Sequence, residues 1–63
     1  MIATTYDPEA DAMFIRFAGH EVKSVRTEEV SPGVMLDFAH DGRMIAIEIL
    51  DVSDRMTARD KAA

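Results

Sequence analysis

A chain of 63 residues with 48% hydrophobic and 30% charged side chains suits one small folded domain, 1–63, and is too apolar for a disordered tail. It has no cysteine, which excludes disulfide staples and thiolate chemistry, and its two histidines alone cannot close a tetrahedral zinc site. Twelve acidic residues against seven basic ones give a net charge of -5, a sign that repels phosphate backbones and anionic lipid.

Neither nucleic acid nor a membrane is therefore expected as a partner. No apolar run approaches the roughly 18–20 residues that span a bilayer, and no signal peptide is visible, so the expected location is the cytoplasm.

Ile2 to Tyr6 reads as a first strand, ended where Asp7 precedes Pro8 and is biased away from the helical region. Met13 to Phe17 reads as a second, with Met13, Ile15 and Phe17 alternating against Phe14 and Arg16. The run Val22 to Val30 alternates poorly. Val22 and Val25 have opposite parity, and Glu28-Glu29 must place a carboxylate on each face, so a bulge or a partly solvated, edge-like strand is expected.

Asp41-Gly42 is the signature of a two-residue type I′ hairpin turn. It pairs His40 with Arg43, Phe38 with Ile45, Leu36 with Ile47 and Val34 with Ile49. The large side chains of the last three pairs then share one face, an agreement that a one-residue slip would destroy. After Leu50 the pattern changes to a short helix. Ser53 is placed to cap it, Asp54 sits in its first turn, Val52 and Met56 share a face, and Arg59 and Lys61 lie near its end.

The expected fold class is α+β, mainly β: an antiparallel β-meander of about five strands with a short C-terminal helix. The hairpin face together with Met13, Ile15 and Phe17 presents nine large apolar side chains. A helix offering chiefly Val52 and Met56 is too small to cover them, so a homodimer is expected.

Few residues carry chemistry. Asp7, Glu9 and Asp11 form an acidic group that is a candidate for a hard cation. The EF-hand spacing is missing, however, and an Asx-type turn at Asp7 accounts for the same residues. Asp37 and Glu48 fall on the outward face of the last hairpin as diagonal neighbours, a candidate acid–base pair. A flat sheet face offers no cleft to exclude water, and a solvated face is the simpler reading.

His20 and His40 sit at turns with no nucleophile spaced around them. Met35, Met44 and Met56 are candidates for lining a partner surface, and a core or a dimer seam is the simpler reading. Arg43, Arg55 and Arg59 are the one basic concentration. No cofactor is implied.

The strings TYDPEADAMFIRF and RTEEVSPGVMLDFAHDGRMIAIEIL resemble a family of small bacterial proteins known as domain of unknown function 2283. The likeness covers Ile2 to Asp54. It rests on Tyr6-Asp7-Pro8-Glu9-Ala10-Asp11, Thr27-Glu28-Glu29-Val30, Pro32-Gly33-Val34, Leu36-Asp37, Asp41-Gly42-Arg43 and Ile47-Glu48-Ile49-Leu50. Ala46 departs from it, standing where Gly or Val is commoner.

The resemblance implies a β-meander with a terminal helix, and single-domain accessory proteins, some of them in two-gene modules of toxin–antitoxin type. It implies no catalytic residue. The expected function is a non-catalytic protein-interaction module, a homodimer whose acidic surface suits a basic protein partner, with an antitoxin-like role as one version. The alternative is a minimal enzyme with Asp37 and Glu48 at the dimer interface.

Overall fold

Residues 2–56 are described in the computed structural model, and they build one antiparallel sheet followed by a short helix. The strands are β1 (Ala3–Asp7), β2 (Ala12–Arg16), β3 (Arg26–Ser31), β4 (Val34–Phe38) and β5 (Met44–Ile49). The helix α1 spans residues 52–56. Five strands and a C-terminal helix are the fold class expected from the sequence.

Across the sheet the order is β1-β2-β5-β4-β3. The isoleucine-rich β5 takes the centre, as suits a β-branched segment free of turn residues. The edges are β1, with Thr4 and Thr5, and β3, with Thr27, Glu28 and Glu29. Polar and charged side chains at the edges discourage further strand addition. β3 also carries a bulge between Glu29 and Ser31, so the irregular third run is an edge strand with a bulge.

The register gives the sheet two different faces, because paired residues share a face and neighbours alternate. Ile47 pairs with both Ile15 and Leu36, and Ile49 with both Met13 and Val34. Tyr6 pairs with Met13 on the same side. This is the apolar face. The second face carries Thr5, Phe14, Arg16, Ala46, Glu48, Met35 and Asp37.

The last hairpin differs from expectation at its tip. A type I′ turn needs positive φ at both central residues, but Gly42 has φ 92 and Asp41 is not in that region. The loop is instead three residues, 40–42, closed by Ala39 N–H to Arg43 O at 2.9 Å and by Gly42 N–H to Ala39 O at 3.0 Å. Asp41 supports it by accepting from the Arg43 N–H at 3.1 Å and from its Nε at 2.8 Å.

Phe38 consequently pairs with Met44 rather than Ile45, with a bulge between Asp37 and Phe38, while the Leu36–Ile47 and Val34–Ile49 pairs stand as expected. The Phe17 N–H donates to Ile45 O at 2.8 Å, which keeps Ile45 opposite Phe17 on the apolar face.

The connector between β2 and β3, residues 17–25, passes the ends of β5 and β4, about 14 Å at the usual strand spacing. Arg16 fastens it. Its Nη2 donates to Gly19 O at 2.9 Å and also to Val22 O, and Val25 N–H donates to Phe38 O at 2.9 Å. Ala46, paired with Arg16, is 0% exposed, which explains a small side chain at that position.

Among the described residues only Ala39, Ile45 and Ala46 are buried, and Ile45 is the largest. Ile45→Ala should therefore cost about 2–5 kcal/mol in urea unfolding. The adjacent Met44, already exposed, should tolerate alanine within about 0.5 kcal/mol. Equal effects of the two substitutions would show that the core lies elsewhere.

Candidate functional site

Among the described residues, no element covers the apolar face of the sheet. Of the nine large side chains assigned to it from sequence, Ile45 alone is buried; seven others are half-buried and Phe17 is exposed. Tyr6 adds an aromatic ring that is 46% exposed at the β1 edge. At the opposite edge Arg26 lies over the Phe38 ring, 4.2 Å from its centroid, and pairs with Glu28. The arrangement is an apolar centre with a polar rim, the anatomy of a protein interface. α1 does not cover it, because Val52 is half-buried and Met56 is 61% exposed.

α1 is tied instead to the end of the sheet. Asp11, in the β1–β2 turn at φ 54, accepts from the Tyr6 hydroxyl at 2.6 Å and the Ser53 hydroxyl at 2.9 Å. Both of its carboxylate oxygens lie 3.2 Å from the Ser53 N–H, and its carbonyl accepts from Val52 N–H at 3.1 Å. Asp11 thus takes the capping role expected of Ser53, which lies within the first turn. The expected contributions of Arg59 and Lys61 lie outside the described residues.

Arg55 adds a second tie, its Nε donating to Leu50 O at 2.8 Å and its Nη2 to Pro32 O at 2.6 Å. The Tyr6 hydroxyl, and after it Ser53, hold the Asp11 carboxyl below the ordinary aspartate value of 3.8. The bond to Asp11 in turn raises the Tyr6 hydroxyl above 10.0.

The candidate metal group divides between separate tasks. Asp7 Oδ1 accepts from the Glu9 N–H at 3.0 Å and the Ala10 N–H at 3.4 Å, the Asx-type turn expected. Asp11 serves α1, and Glu9 is exposed. Among the described residues no three acidic or histidine side chains gather as a metal site.

Asp37 and Glu48 both lie on the second face, but no hydrogen bond joins them, and Asp37 accepts from the Thr27 hydroxyl at 2.5 Å. His40 is exposed in the β4–β5 loop. Met35 is half-buried on the second face, while Met44 is exposed at the start of β5 and Met56 is exposed in α1. Arg43 bonds to Asp41 at one end of the sheet and Arg55 to backbone at the other, so the described arginines of the basic group form no patch. No helix among the described residues is long and apolar enough to cross a membrane.

Two groupings escaped the sequence reading. Asp11 and Ser53 are 42 positions apart, and no local pattern links them. Alternation places Arg16 on the strand side opposite Met13, Ile15 and Phe17, but gives no sign that it anchors the connector. The one available signal was its place as a lone cation in an otherwise apolar strand, followed by Gly19.

The chain belongs to the family described as protein of unknown function DUF2283, whose model matches residues 3–53, all five strands and the Asp11–Ser53 tie included. No curated protein and no solved structure matches it.

The Asp11 network makes stability depend on pH at both extremes. Asp11, lowered on folding, contributes fully above the ordinary aspartate range, and the contribution is lost as pH falls through its depressed value. Tyr6, raised on folding, contributes fully below pH 10.0, and that part is lost as pH rises through its elevated value. Asp11→Asn should lower the melting temperature at neutral pH and flatten the acid limb of a pH–melting profile. An acid limb identical to wild type would remove Asp11 from the account.

Proposed function

We propose that the chain is a non-catalytic protein-interaction module of the cytoplasm that works as a homodimer, with the apolar faces of two copies packed together. The observation that carries this reading is the exposure of the apolar face: of its nine large side chains, only Ile45 is buried within one chain. Soluble monomers rarely leave a contiguous apolar patch above a few hundred Å² uncovered.

Five strands at about 4.8 Å spacing, each about five residues long, give a face of roughly 400 Å² in projection. Two such faces, with side-chain relief, approach the roughly 1,200 Å² at which specific interfaces begin. Packed in this way, the pair is a two-layer sandwich whose core neither copy completes alone.

The second faces then point outward and display Asp37 and Glu48 twice, while the edge strands display Glu29. In a chain of net charge -5 this surface suits a basic protein partner, by steering and complementarity of potential. An antitoxin-like role against a basic toxin is one form of that partnership. The geometry favours this reading over a carboxylate enzyme at the dimer interface, because Asp37 and Glu48 lie on the face opposite the apolar one.

Sedimentation equilibrium and a dilution series of thermal melts test the reading. A dimer mass at micromolar concentration and a melting temperature that rises with concentration are expected. Leu36→Ala should cost about 2–5 kcal/mol, the value of a fully buried leucine rather than a half-exposed one. A monomer mass with a concentration-independent melt would overturn it.

A further inference from the structure

The connector creates a second feature, on the opposite side of the sheet. A cleft of about 410 Å³ opens there, lined by Ala3 and Thr5 of β1, Phe14 and Arg16 of β2, and His20 of the connector. We propose that this cleft binds a small organic anion, a carboxylate carried on a flat apolar body.

The register explains why these groups meet. Ala3 pairs with Arg16 and Thr5 with Phe14, so all four stand on the second face, and Arg16 draws the connector towards them through Gly19 and Val22. Its volume falls in the range of about 300–1,000 Å³ usual for small-ligand sites. Phe14 and Ala3 supply an apolar surface for a ring, and the Thr5 hydroxyl and the His20 imidazole supply polar contacts.

The charge of the lining selects the ligand. In a chain of net charge -5, no carboxylate among the described residues lines the cleft, and the one permanent charge among its described lining residues is the Arg16 guanidinium. The ion pairs among the described residues are Arg26 with Glu28 and Arg43 with Asp41, so Arg16 has no carboxylate partner. Its Nη2 is held by two neutral carbonyls, which fix the group without neutralising it. Its Nε is shielded from solvent and meets no acceptor.

A half-buried cation in that condition is incomplete, since such charges ordinarily reside beside a counter-charge. A planar, fixed guanidinium is also the side chain best matched to a carboxylate. The aromatic wall adds preference for a flat body over a simple inorganic anion. The cleft lies on the face away from the apolar one, so a ligand there and a second copy do not compete for one surface.

The test uses the whole wild-type chain with benzoate as probe and benzamide as its neutral counterpart, followed by NMR at about 0.15 M salt, where diffuse surface attraction is screened. The expected result is a saturable benzoate response centred on Thr5, Phe14, Arg16 and His20, with benzamide about tenfold weaker. His20→Ala, an exposed position, should keep the fold and weaken benzoate severalfold. Arg16→Gln should abolish the response, with the Val25 amide reporting whether the connector stays in place. Equal responses to benzoate and benzamide, shifts scattered over the surface, or no saturable response would each overturn the proposal.

Discussion

Ile47 faces Ile15 on one side and Leu36 on the other, and Ile49 likewise faces Met13 and Val34. This double pairing of β5 fixes everything around it. It joins the β1–β2 hairpin to the β3–β4–β5 run, and it aligns the apolar residues of four strands on one face. Strand side chains alternate with a period of two, so the same register necessarily sends Phe14, Arg16, Ala46 and Glu48 to the other face. A shift of one residue at either border of β5 would scatter the apolar side chains and move Arg16 away from the connector that it holds.

Much of this was legible in the sequence because it is encoded locally. Alternation and turn residues together specified the Val34–Ile49 and Leu36–Ile47 pairs, the strand around Ile15 and the irregular third run. The strand order was not local information. The partner of β2 is β5, some 30 positions away, and nothing in either string names the other.

The hairpin tip differed for a physical reason that composition conceals. Asp-Gly serves a two-residue turn or a three-residue loop with a glycine bulge, and the side-chain bonds of Asp41 to Arg43 support the latter. Of the candidate residues, Asp7 occupies the turn that its type suggested, whereas Asp11 became the anchor of a helix from the far end of the chain. Contacts of that separation are decided by the assembled sheet, and the sequence shows only the groups available to make them.

The two ends of the sheet are finished by different means. At one end Asp11 and Arg55 bind α1 to both hairpin turns, using a carboxylate for the Ser53 N–H and hydroxyl and a guanidinium for the Leu50 and Pro32 carbonyls. At the other, Arg16 performs the reverse task, collecting the carbonyls of a connector that has few backbone partners of its own. A chain this small buries few side chains, so charged groups bonded to backbone replace part of the packing that a larger domain would supply.

This division also relates the two proposals. β2 carries Ile15 towards the apolar face and Arg16 towards the cleft, on adjacent residues of one rigid pleat. Burial of Ile15 and its neighbours against a second copy would restrain β2 and the adjoining β1 without touching Thr5, Phe14 or Arg16. Assembly on one face would then reduce the motion of the binding groups on the other, and a ligand would lose less freedom on entering. The linkage runs both ways: an anion that orders β2 through Arg16 would favour association, although it never enters the interface.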